Sequence, residues 1–171
     1  MAESLEKFKS YIGKSETAFD VATGATMLKF AATLGLEKAP LDKGEIVPPG
    51  WHGGFFPPSH RPSQMREDGQ ASGGGFMPAI PLPRRRIGVT RMTFHEPLRV
   101  GDEIKKVTEI ADLQVDDAPN GAMVTIVERS SISSSRGLGV VEERDMMMLS
   151  ETRADAAPKA APAVPGAAQW K

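Results

Sequence analysis

Three features of the sequence predict an α+β domain in which one antiparallel sheet curls around a helix. From residue 86 onward, four stretches rich in β-branched and apolar residues (86–94, 104–115, 122–133 and 138–150) are separated by turn signals at 97–102, 116–121 and 134–137. Ahead of them, Thr17, Phe19 and Val21 alternate as a strand does, and Met27, Phe30, Ala31 and Leu34 recur at i, i+3, i+4 and i+7, one face of a helix. Between the two regions, 48–84 holds eight of the fourteen prolines and seven of the seventeen glycines, too many for regular structure.

Taken in order, Leu5, Phe8 and Ile12 form one apolar stripe, predicting a short docking or lid helix that Gly13 stops. Gly13-Lys14-Ser15 looks like the end of a phosphate loop. That motif needs a glycine where this chain has Phe8, so the reading is rejected. Thr23 suits the N-cap of a helix running to Leu36, whose apolar face is core. In 48–84, Trp51, Phe55, Phe56, Phe76, Met77, Ile80 and Leu82 are poor components of a disordered linker. They predict two ordered walls, 51–56 and 76–84, around a mobile flap, 59–72. Gly73, Gly74 and Gly75 give the second wall a backbone that can take positive φ and admit close approach. Asn120-Gly121 is the strongest hairpin signal. The last strand has a charged middle, Glu142 to Asp145, ahead of Met146 to Leu149, which predicts one solvated end and one packed end. Residues 1–153 form the domain; 154–171, with eight alanines and three prolines, reads as a flexible tail.

Composition removes several function classes. A net charge of −1 provides no global field for nucleic acid or an acidic membrane, so any anion site is local. Arg84, Arg85 and Arg86 are the one dense basic cluster, and guanidinium groups suit phosphate oxygens. The absence of cysteine excludes disulfides and thiolate chemistry, and the three histidines are too sparse for a metal site. No apolar run approaches the length of a membrane span and the N-terminus has no signal-like core, so the expectation is a soluble, cytoplasmic protein. His52, between Trp51 and two glycines, is a candidate base, set against a packing role because no carboxylate stands near it in sequence. His95 ends a strand, where a structural hydrogen bond is the plainer role, and His60 sits in the flap.

The strand, helix, irregular segment and four strands follow the order of a hot-dog fold. The chain also resembles the MaoC-like acyl dehydratases, in particular the N-terminal half of the mesaconyl-CoA (3-methylfumaryl-CoA) hydratases and the mitochondrial 3-hydroxyacyl-thioester dehydratases. The matching residues are Ile12 to Thr17, Phe30 to Leu34, Trp51-His52 with Phe56-Pro57-Pro58, and Gly74 to Pro78 continuing through Pro81 to Arg85 and on to Phe94–Asp102. The resemblance implies syn addition or removal of water at the α,β bond of an enoyl thioester of coenzyme A. Such chemistry needs a base and donors for the developing enolate oxygen. It also implies an Asp and a His five residues apart. Val47, Phe55 and Thr90 stand five residues before the three histidines here, so that pair is missing. In two-domain relatives the pair lies in the second hot-dog domain, after an Ala/Pro linker.

The expectation is therefore a hot-dog domain paired with a second one. It would be the substrate-accommodating, non-catalytic subunit of an enoyl-CoA hydratase or 3-hydroxyacyl-CoA dehydratase, beside a partner carrying Asp-x4-His. Alternatives are a self-sufficient homo-oligomeric dehydratase, such as a homodimer, using His52 or His95, and an acyl-CoA-binding module without turnover. The expected acyl-CoA contacts are Trp51, His52, Gly74, Gly75, Phe76, Met77, Ile80, Arg84, Arg85 and Arg86. No cofactor is expected, coenzyme A being part of the substrate.

Overall fold

A computed structural model describes residues 2–67, 69, 71–73, 75–118 and 121–150; Gly74, the Asn120 turn position and the tail at 154–171 lie outside the described residues. The elements are α1 (Ala2–Leu5), a 3-10 helix (Glu6–Tyr11), β1 (Ser15–Val21), α2 (Gly24–Thr33), 3-10 turns at Trp51–Gly54 and Pro62–Gln64, then β2 (Arg84–Phe94), β3 (Glu103–Ala118), β4 (Gly121–Ser134) and β5 (Gly137–Leu149). The strands form one sheet in the order β1-β3-β4-β5-β2 with every pair antiparallel. A β3-β4-β5 meander flanked by the two earlier strands, with α2 against its concave face, is the hot-dog arrangement.

The four long strands fall within a few residues of the sequence expectation, because long alternating runs bounded by turns leave little freedom of register. On β4, Ala122, Val124, Ile126 and Ile132 all point inward and are buried. Two separate apolar clusters result. One joins Ile110, Leu113, Val124, Ile126, Met146 and Met148 to Leu5, Ile80 and Leu82; the other joins Ile104, Ile132, Val140, Leu98 and Val100 to Met27 of α2 and Phe55. The sheet thus wraps α2 over one half only. The other half is roofed by the proline-spaced stretch at 76–84 and by the N-terminal Leu5.

Several expectations change. Thr23 does cap α2, its hydroxyl accepting from the Thr26 N–H at 3.3 Å, but the helix ends at Thr33, and Leu34 and Leu36 are left 56% and 51% exposed. Gly35, in the left-handed region at φ +66°, follows and turns the chain away. The N-terminal stripe keeps Leu5 buried but leaves Ile12 exposed, since the chain tightens into a 3-10 helix whose three-residue turn carries position i+7 off the stripe. On β1, Phe19 and Val21 face outward; Asp20 turns inward instead and accepts the Phe56 N–H at 2.6 Å. The segment expected as a mobile flap has its own hydrogen-bonded structure: Gln64 and Ser72 are joined through the Ser72 N–H at 2.9 Å, and Met65 bridges Ala71. β5 is packed at both ends, at Val140 and at Met146 and Met148, with its charged middle between them.

Candidate functional site

A polar belt separates the two apolar clusters. Register aligns Glu16, Thr108, Ser130 and Glu142 across β1, β3, β4 and β5, and the neighbouring row pairs Glu128 with Arg144. Because side chains alternate along a strand, all of these project from the same concave face as the core residues on either side of them. With Lys106, His52, Phe55 and Phe56 they line a cavity of about 240 Å³.

His52 reaches this belt from the 3-10 turn Trp51–Gly54. The turn starts after Gly50, held at φ +88°, and packs tightly on α2: a Cβ on Gly54 would lie 2.5 Å from the Phe30 ring. Trp51 stacks on that same ring at 5.6 Å, so it holds the turn in place and does not line the cavity. His52 itself is 4% exposed, with Nε2 3.2 Å from Glu142 Oε2 and its ring edge-on to Phe94 at 6.0 Å. The other oxygen of Glu142 accepts from Arg144. The hydrogen bond from His52 and the charge of Arg144 hold the Glu142 carboxyl below the usual range, against the opposing effect of burial. An ionised carboxylate only accepts, so Nε2 of His52 carries the proton.

Glu128 behaves in the opposite way. Burial pushes its carboxyl up, and Arg144 and Arg85 only partly offset this. Thr108 and Ser130 hydroxyls bond one another at 2.9 Å. Phe56, in the left-handed region at φ +56°, is held there by Asp20 and lies under the Lys106 ammonium at 4.8 Å from its ring centre. Among the described residues, no buried side-chain nitrogen or oxygen lacks a hydrogen-bond partner.

The other expected contacts lie elsewhere. Arg84, Arg85 and Arg86 belong to β2, and alternation divides them: Arg85 turns to the core side, its Nη2 3.5 Å from Met146 Sδ, while Arg86 turns to the opposite face, 3.5 Å from Met147 Sδ. Met77, Ile80 and Arg85 border a cavity of about 120 Å³ with Arg66, whereas Gly75, Phe76 and Met77 border a broader groove with Glu16. Ile80 is itself core, 6% exposed. Gly73 holds the left-handed φ expected of the glycine run, and a Cβ there would meet the Ala79 backbone at 3.1 Å. His95 is exposed, with its backbone N–H on the Gly139 carbonyl at 2.8 Å. Glu142, Arg144, Glu128, Lys106, Thr108 and Ser130 were not anticipated as site residues. The signal was present in β5, where positions 142 and 144 share the parity of Val140, Met146 and Met148 and so had to point inward with them.

Fold and belt together define a hot-dog domain with a charged, largely self-paired interior. Over residues 50–171 the chain matches the family described as hydroxyacyl-thioester dehydratase type 2, and it belongs to that family. It is 31% identical over 138 residues to mesaconyl-C(4)-CoA hydratase of Chloroflexus aurantiacus, an alignment covering 81% of this chain and 49% of that protein. The chain therefore spans about half the length of the curated relative it matches. Among solved structures it is similar to a chain of the C-terminally truncated HadBC (3R-hydroxyacyl-ACP dehydratase) complex of Mycobacterium tuberculosis, with TM-score 0.50 and 14% identity over 80% of this chain and 96% of that one. A protein from Archaeoglobus fulgidus gives TM-score 0.51 at 9% identity over 80% and 78% of the two chains. These two likenesses concern the fold alone.

Proposed function

We propose that this chain is the substrate-accommodating, non-catalytic half of an enoyl-CoA hydratase or 3-hydroxyacyl-CoA dehydratase, paired with a second hot-dog domain that carries the catalytic Asp and His. One observation carries the reading. The buried histidine has its Nε2 proton engaged by Glu142, which is itself held by Arg144, and no histidine in the sequence has an aspartate five residues before it. The match to about half of a longer hydratase supports it. In this reading the partner moves the protons, and this chain contributes concave-face volume and cations. Arg84 and Arg86 on one face of β2, and Arg85 on the other, are candidates for coenzyme A phosphates. Edge strand β2, exposed along all eleven residues, is the natural place for a second sheet to join.

The 3.2 Å His52–Glu142 contact beside a cavity favours a second reading, a self-sufficient dehydratase with His52 as base. Assay of the purified chain on crotonyl-CoA and mesaconyl-CoA, with and without a co-expressed hot-dog protein carrying Asp-x4-His, separates the two. The first reading expects turnover only with the partner. Turnover by the chain alone that His52→Ala abolishes would establish the second.

A further inference from the structure

His52 stands between two cavities and lines both. On one side is the polar belt cavity of about 240 Å³; on the other is a pocket of about 110 Å³ formed by Ile46, Val47, Pro48, Phe94, Leu98 and Val140, among others. The second pocket is apolar and opens toward the exposed His95 and Glu96. The imidazole forms the partition, fixed on the belt side by Glu142 at 3.2 Å and on the apolar side by the Phe94 ring at 6.0 Å.

We propose that His52 is a gate, a specificity-determining residue whose rotation away from Glu142 joins the two cavities into one channel for longer acyl chains. The inference rests on the substrate-accommodating reading above. Two features favour the movement, which needs only the side chain of His52 to turn while its backbone stays fixed. Glu142 keeps Arg144 when His52 leaves, so opening gives up one hydrogen bond and does not strand a buried charge. The space beyond the gate is lined by aliphatic groups, where each buried methylene adds about fourfold to affinity. With the gate closed, the polar cavity admits a short acyl group, and an aliphatic extension meets the imidazole.

Octanoate and butyrate serve as probes, because they carry the acyl chain without coenzyme A. They are titrated into the full chain and read by methyl NMR at Ile132 in the belt cavity and at Leu98 and Val140 in the apolar pocket. In the wild type, octanoate should shift Ile132 far more than Leu98 and Val140. In His52→Ala, octanoate should shift all three and gain about tenfold in affinity relative to butyrate; Glu142→Gln should fall between. His52→Asn, smaller than imidazole but still polar, serves if His52→Ala does not fold. Leu98 and Val140 unmoved by octanoate in the opened variant would overturn the gate, as would the same octanoate response in wild type and variant. The readout needs neither a partner nor turnover. A failed gate is thereby distinguished from a failed acyl-CoA reading, which titration of the same proteins with crotonyl-CoA tests separately.

Discussion

Glu142 and Glu128 sit on adjacent rungs of one belt and respond oppositely to it. Glu142 is held low by the His52 hydrogen bond and Arg144, so its ionised form stabilises the fold above its unfolded value of 4.5, and that contribution is lost as the pH falls through the lower folded value. The melting temperature of Glu142→Gln should lie below that of the wild type at neutral pH, with a cost of about 1–3 kcal/mol for a partly unpaired His52. The gap should close in acid below pH 4.5. For Glu128 the sign reverses. Its folded value is raised by burial, so stability is lost as the pH climbs above 4.5 and the buried carboxyl ionises. Glu128→Gln should therefore melt higher than the wild type at neutral pH and equal to it in acid. Thermal melts across pH check both, and matched responses of the two variants would contradict the assignment of opposite environments.

At the scale of elements, the turn Trp51–Gly54 is the part that places the site, and its glycine is the sensitive point. Gly54→Ala puts a methyl group against Phe30 and Thr26, and about 1–3 kcal/mol of destabilisation is expected from such overpacking. The same substitution should weaken protection of the His52 ring, visible in its NMR signals. On β2, alternation makes the arginines separable. If coenzyme A phosphates meet the core-side face, Arg85→Ala weakens binding by about 1.5–3 kcal/mol and Arg86→Ala does not, with the loss shrinking as salt rises; isothermal titration at two ionic strengths distinguishes them. β3, β4 and β5 were legible because their alternation runs long and their turns are marked by glycines such as Gly121 and Gly137, both at positive φ. β1 was legible as a strand but not in orientation. Its apolar residues face solvent, because an edge strand with Asp20 turned inward to hold Phe56 follows a tertiary requirement that alternation does not express. The His52–Glu142 pair spans ninety residues, and nothing local announces it.

For the whole molecule, the resemblance seen in Phe94 to Asp102 and in the proline-spaced stretch led to the family that the comparison over residues 50–171 establishes. The hot-dog architecture followed from element order. What the chain alone did not disclose is how its interior is divided: two apolar clusters with a charged belt between them, each half roofed differently, one by α2 and the other by an irregular segment. Under the proposed function the concave face receives a thioester and proton transfer occurs on the partner. Ile87, Met92 and Phe94, on the core-side face of edge strand β2 and each more than 40% exposed, leave apolar surface open along that edge. The measurement that tests this most directly is hydration of crotonyl-CoA by the purified chain alone, followed by loss of the thioester enone absorbance. The account predicts no turnover above the uncatalysed rate until a hot-dog partner bearing Asp-x4-His is added. Sustained turnover without that partner, abolished by His52→Ala in a variant that still folds, would contradict it.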